Sequence, residues 1–70
     1  MKVKVGDKEY EISESTDISI AEVVKERAEL IEMKTKELWT HYVLEAIERR
    51  LSYLDSRIVD YFLKHRKGKK

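Results

Sequence analysis

Glu37, His41 and Glu45 are the residues whose types and spacing come closest to a metal site. On one continuous helix they would share a side, because residues four positions apart are neighbours on a helix surface. Carboxylates and imidazoles bind metal ions, but such a site also needs ligands from a second element, and we find none in the sequence. We therefore expect ion pairs here, with neither a metal nor another cofactor.

Residues 64–70 form a basic tail that is able to contact the phosphates of a nucleic acid. Residues 1–35 carry 6 basic and 9 acidic side chains, whereas residues 36–70 carry 9 basic and 5 acidic ones. The tail also has a structural explanation, because the dipole of a helix favours cations at its carboxyl end. The candidate nucleic-acid-binding residues are Arg49, Arg50, Lys64, Arg66, Lys67, Lys69 and Lys70.

No arrangement typical of an enzyme follows from the sequence. It contains no glycine-rich phosphate loop, no nucleophile motif and no convincing pair of carboxylates in a cleft. A helical chain of 70 residues also has little room for a sheltered pocket of a few hundred Å³. We expect a non-enzymatic protein.

The composition excludes several further classes of protein. Without Cys, neither a disulfide scaffold nor a cysteine zinc site can form. No apolar run approaches the roughly 18 residues of a membrane span, and the opening residues lack the apolar stretch of a secretory signal. We expect a cytoplasmic protein with no membrane partner. The absence of Asn, Gln and Cys beside abundant Glu, Lys and Arg is typical of thermophilic proteins and of designed sequences, and the irregular ends of the sequence favour a natural thermophilic protein.

Residues 1–12 predict a β-hairpin. Gly6 and Asp7 form a two-residue loop with glycine at its first central position, as a type II′ turn requires. The register that follows pairs Val5 with Lys8, Lys4 with Glu9, Val3 with Tyr10, Lys2 with Glu11 and Met1 with Ile12. The two pairs of opposite charge share one face, and the apolar residues share the other. That apolar face must pack on another element, because an isolated hairpin is marginally stable.

Residues 13–19 predict a polar connector that ends where a helix begins. Ser19 and Glu22 fit the capping box, in which each side chain binds the backbone N–H of the other residue. Ile18 and Val23 fit the hydrophobic staple that accompanies such a cap. We predict that the first helix begins at Ile20.

The segment after residue 20 is helical in pattern, but its apolar stripe changes phase along the chain. Either one unbroken helix faces different partners, or the helix breaks near Thr35 or near Thr40–His41, where Thr can cap a new helix. A break at Thr35 is slightly favoured, because Trp39 then extends the second stripe in steps of four. We predict helices over about 20–34 and 36–66.

The second helix carries a seam of apolar residues at alternating steps of three and four, over about three heptads. Around residues 58–63 the pattern is apolar on nearly every side, which implies burial on nearly every side. One short chain cannot supply that cover, so we expect a homo-oligomer, with a dimer as first choice. Tyr53 lies off the seam and is a candidate contact for a partner. The predicted interface residues are Leu44, Ile47, Leu51, Leu54, Ile58, Tyr61 and Phe62.

Two families share limited features with this sequence. Residues 3–12, Val-Lys-Val-Gly-Asp-Lys-Glu-Tyr-Glu-Ile, resemble the first hairpin of ubiquitin-like β-grasp proteins, whose later strands residues 20–66 do not supply. In size and in the order of strand and helices, the chain is similar to ribbon–helix–helix DNA-binding proteins and antitoxins. Those proteins use one strand that leads directly into a short helix. We therefore transfer no residue roles from either family.

These observations predict an α+β protein, mostly α, with an N-terminal hairpin followed by two helices of which the second is long. Residues 1–66 would form one small domain, with a basic tail over 67–70. We expect it to assemble as a helical dimer or bundle and to act as a protein-interaction module. The alternative function is that of a nucleic-acid-binding, antitoxin-like regulator.

Overall fold

A computed structural model of the protein describes residues 1–65. It contains a two-stranded antiparallel hairpin, β1 (Lys2–Val5) and β2 (Lys8–Glu11), followed by two helices, α1 (Ile20–Lys36) and α2 (His41–Lys64). The predicted fold class, a hairpin followed by two helices with the second one longer, is confirmed.

The hairpin has the predicted turn and register. Gly6 adopts a φ of 60°, whereas Asp7 does not have a positive φ, which fits a type II′ turn. The strand pairs are Lys2 with Glu11, Val3 with Tyr10, Lys4 with Glu9 and Val5 with Lys8. Met1 and Ile12 extend the ladder through two backbone hydrogen bonds of 2.8 Å. The apolar residues of the hairpin are buried or half-buried, and the charged ones are exposed.

Helix α1 begins with the predicted capping box. The backbone N–H of Glu22 donates to Ser19 Oγ at 3.3 Å, and the backbone N–H of Ser19 donates to Glu22 Oε1 at 3.4 Å. Ile18, just before the cap, packs against the hydrophobic core to which Val23 belongs. A local sequence signal therefore sets the point at which the connector becomes a helix.

The break between the helices lies at Thr40, so the favoured break at Thr35 is wrong. Helix α1 continues through Thr35, whose hydroxyl donates to the carbonyl oxygen of Glu32 at 2.9 Å within the helix. Thr40 instead accepts a hydrogen bond from the backbone N–H of Val43 at 3.3 Å and caps α2. The predicted bounds 20–34 and 36–66 are corrected to Ile20–Lys36 and His41–Lys64, joined by the linker 37–40.

The two helices pack side by side in opposite directions. Arg27 Nε lies 2.6 Å from Asp55 Oδ1, and Lys34 Nζ lies 3.3 Å from Glu48 Oε2. From the first pair to the second, the position advances by seven residues along α1 and goes back by seven along α2, as expected for antiparallel helices. The buried core between the helices and the hairpin consists of Ile12, Val23, Leu30, Met33, Val43, Ile47 and Leu54.

Neither helix of the described chain combines the length and the apolar character that crossing a membrane requires.

Candidate interaction surfaces

The connector between β2 and α1 is held against α2 by its backbone carbonyl groups. Arg57 donates from Nη1 to the carbonyl oxygen of Thr16 at 3.2 Å and from Nη2 to that of Ile18 at 2.8 Å. Tyr53 Oη donates to the same Thr16 oxygen at 3.1 Å. An irregular segment needs partners for its backbone polar groups, and these side chains supply them. Tyr53, predicted as a contact for a partner, thus contacts the protein's own connector.

Arg50 is the most buried charged residue of residues 1–65, with 8% of its surface exposed. Its Nε and Nη2 atoms donate to the carboxylate of Glu26 at 2.7 and 3.1 Å, and Nη2 also donates to the carbonyl oxygen of Ser15 at 2.8 Å. The hydrogen bonds with Glu26 raise the pKa of Arg50 above its usual value, although burial acts in the opposite direction. Its guanidinium is engaged inside the chain and does not face outward towards a phosphate.

The other candidate nucleic-acid-binding residues are placed differently. Arg49 is well exposed, and its Nη2 atom lies 3.8 Å from Glu45. Lys64 is exposed at the end of α2. Phosphate binding by these two residues stays a prediction. Arg66, Lys67, Lys69 and Lys70 lie outside the described residues.

The predicted oligomer seam is divided between the core of the chain and its surface. Ile47 and Leu54 are fully buried in the hydrophobic core of the chain. Leu44, Leu51 and Ile58 are half-buried, whereas Tyr61 is 38% and Phe62 64% exposed. Along the seam, burial within one chain therefore decreases towards the end of α2.

The last turns of α2 expose large apolar side chains on one side. Val59 and Leu63 are each 56% exposed, like Phe62 beside them. At about 100° per residue, these three positions fall within an arc of roughly 100°. Val59 follows the connector-binding residue Arg57 by two positions, about 200° around the helix. This apolar arc therefore faces away from the connector.

Helix α1 adds two apolar residues to the same side of the molecule. Val24 and Ile31 are 54% and 40% exposed. They lie about 200° and 140° around the helix from Glu26, which binds Arg50 on the connector side. We call the side away from the connector the outer face. It comprises Val24, Arg27, Ile31 and Lys34 of α1 with Glu48, Asp55, Val59, Phe62 and Leu63 of α2.

The three residues of the candidate metal site are not brought together. Glu37 ends α1 in extended backbone, accepts a hydrogen bond from Tyr10 Oη at 2.9 Å and lies 3.5 Å from Lys8 Nζ. His41 pairs with Glu45 on α2 at 3.3 Å. Within residues 1–65, no group of three or more such side chains is arranged to hold a metal ion.

Trp39 occupies a position that the sequence pattern misassigned. It lies in the linker, not on the second helical stripe, and its Nε1 donates to the carbonyl oxygen of Met33 at 3.0 Å. Its ring meets that of Tyr10 edge-on, with 5.1 Å between the centroids. Trp39 therefore joins the linker to the hairpin. The only sequence signal for this arrangement is the need of the hairpin's apolar face for a partner.

No protein-family model matches this chain, and neither a curated protein nor a solved structure matches it.

Proposed function

We propose that this protein is a small, non-enzymatic interaction module that self-associates, as a dimer in the first instance, and buries its outer face in doing so. The observation that carries the proposal is the cluster of Val59, Phe62 and Leu63, each more than half exposed at the end of α2. Exposed apolar residues that lie together on one face mark interaction surfaces, whereas scattered ones do not.

The exposed apolar area is of the size that a dimer needs. Five large apolar side chains of the outer face are 40–64% exposed. Together they present roughly 450 Å² if each offers on the order of 150–200 Å² when fully accessible. A standard interface buries about 800 Å² per partner, of which somewhat more than half is apolar.

The small core of the chain supports the same proposal. Seven hydrophobic residues among residues 1–65 are buried. Domains of this size are marginally stable without disulfides or a metal, and the sequence contains no Cys. Association of two copies adds apolar burial that one copy lacks.

Analytical ultracentrifugation of the wild-type chain and two matched variants tests the proposal. We expect a dimer at micromolar concentration for the wild type. Phe62→Ser should weaken dimerisation about tenfold or more, because a large aromatic side chain buried in an interface often contributes much of its binding energy. Leu38→Ser removes a fully exposed apolar residue of the linker, outside the outer face, and should leave dimerisation unchanged.

A wild-type chain that is folded and monomeric at 100 times that concentration would overturn the proposal. Equal dimerisation of the wild type and Phe62→Ser would show that the copies associate through another surface. Circular dichroism of each variant checks that the helices are retained.

A further inference from the structure

We infer that two copies associate face to face so that α1 of each copy lies on α2 of the other. The inference rests on the proposed self-association and specifies which surfaces meet. It follows from the separation of charge on the outer face, together with the position of the apolar residues along it.

The two helices contribute opposite charges to the outer face. The charged residues of α1 on this face are Arg27 and Lys34, and those of α2 are Glu48 and Asp55. All four side chains are about two-fifths to one-half exposed, although they pair within the chain. Each therefore has surface left for a charge of opposite sign from a second copy.

This charge pattern distinguishes two symmetric ways of bringing the faces together. A two-fold axis parallel to the helices places α1 opposite α2 of the second copy, so that basic residues face acidic ones. A two-fold axis perpendicular to the helices, but in the plane of the interface, places α1 on α1 and α2 on α2. Like charges then oppose one another, which costs binding free energy. Electrostatics favour the first arrangement.

The apolar residues fit the first arrangement as well. A rotation about an axis parallel to the helices keeps every residue at its own height along the molecule. Val24 precedes Arg27 by three positions, and Ile58 follows Asp55 by three, so these two residues lie level in the antiparallel helix pair. Val24 of one copy therefore comes level with the Val59 and Phe62 region of the other. The exposed apolar ends of both copies then cover each other.

Two charge variants test whether the outer faces meet. Arg27→Glu with Lys34→Glu makes all four charged positions acidic, and Glu48→Lys with Asp55→Lys makes all four basic. Each variant should remain folded, since surface ion pairs contribute about 1 kcal/mol or less each. We expect each to be monomeric alone at a concentration where the wild type is dimeric, and the two to form a heterodimer when mixed.

The possible outcomes distinguish this inference from the proposed self-association on which it rests. A monomeric wild type would remove the proposed function itself. A dimeric wild type with charge variants that dimerise equally well alone would leave self-association standing and overturn the outer-face arrangement. Circular dichroism identifies any variant that fails to fold. In that case the single changes Lys34→Glu and Glu48→Lys replace the double ones, with the same expectation at reduced size.

Introduced cysteines distinguish the two symmetric arrangements, because the native chain has no Cys. Chains with Val24→Cys and with Val59→Cys are mixed and oxidised. We expect the mixed disulfide to exceed both disulfides between identical chains, since disulfide formation needs Cα atoms within about 7 Å. Predominant crosslinking of Val24→Cys to itself, or no mixed disulfide in a dimeric mixture, would overturn the placement of α1 on α2.

Discussion

Arg50 of α2 and Glu26 of α1 form a two-point ion pair, with hydrogen bonds of 2.7 and 3.1 Å between the guanidinium and the carboxylate. The same guanidinium binds the carbonyl oxygen of Ser15 in the connector. One side chain thus joins both helices and the connector. The hydrogen bonds with Glu26 raise the pKa of Arg50 above its usual value, so its guanidinium remains a cationic donor to both partners.

Replacing Arg50 with Ala should lower the free energy of unfolding by about 2–3 kcal/mol, because it leaves a half-buried carboxylate without its partner. Arg49→Ala is the matched control, since Arg49 is the exposed neighbour on the same helix. Its effect should stay within about 0.5 kcal/mol. Urea denaturation followed by circular dichroism measures both. Equal losses in the two variants would contradict the structural role of Arg50.

The linker offers a second matched pair in adjacent positions. Trp39→Ala should cost about 2–3 kcal/mol, somewhat less than a fully buried aromatic residue, because Trp39 is half-buried. Leu38→Ala should have little effect, since the Leu38 side chain is fully exposed. Thermal unfolding by circular dichroism compares the two variants. A linker that tolerates both changes would contradict the contacts of Trp39 with Tyr10 and Met33.

The position of the helix break can be tested with two threonine substitutions. Thr40→Ala removes the side chain that caps α2 and should destabilise the protein by about 1 kcal/mol. Thr35→Ala lies inside α1, where Ala has the higher helix propensity, and should be neutral or slightly stabilising. The denaturation midpoints of the two variants show which threonine caps α2. The reverse order of effects would favour a break at Thr35.

Because of Tyr10, we expect the free energy of unfolding to depend on pH in the alkaline range. Its hydrogen bond to Glu37 raises the pKa of Tyr10, and partial burial and the negative charge of that carboxylate act in the same direction. A raised pKa in the folded state means that the stabilisation is complete below the unfolded value of about 10 and is lost as the pH rises further.

We therefore expect the unfolding free energy of the wild type to fall more steeply above about pH 10 than that of Tyr10→Phe. Denaturation series at several alkaline pH values measure the difference between the two proteins, so that the other tyrosines and the lysines cancel. Parallel pH dependence would show that the contact between Tyr10 and Glu37 contributes nothing in solution.

Features determined by neighbouring residues could be predicted from the sequence. The turn at Gly6, the strand register and the capping box of Ser19 each depend on residues within about ten positions of one another, and the structure has all three. The position of the helix break was harder to predict, because Thr35 and Thr40 have the same side chain and either could cap a helix. Their hydrogen bonds in the folded chain separate their roles: the Thr35 hydroxyl donates to Glu32 within α1, whereas Thr40 accepts from the Val43 N–H and caps α2.

Contacts between distant elements could not be predicted. Arg50 is among the predicted phosphate-binding residues because residues 36–70 are net basic and Arg50 could extend a basic face with Arg49, whereas its partner Glu26 lies 24 positions away.

The apolar pattern predicts an interface between copies along the seam of α2. The middle of the seam, at Ile47 and Leu54, is buried in the chain's own core, because the break at Thr40 folds α1 back onto α2. The part of the seam at the end of α2, at Tyr61 and Phe62, remains exposed and is available to a partner.

The carbonyl contacts of the connector also bear on the order in which the molecule folds. Arg57 and Tyr53 reach their connector partners across 37–41 residues of chain, whereas α1 and α2 are joined by the short linker 37–40. Loop-closure entropy therefore favours early formation of the helix pair and late docking of the connector. We expect Arg57→Ala to accelerate unfolding in stopped-flow experiments and to leave the refolding rate nearly unchanged. The contact between the connector and α2 would then be the first part of the protein to open and the last to close.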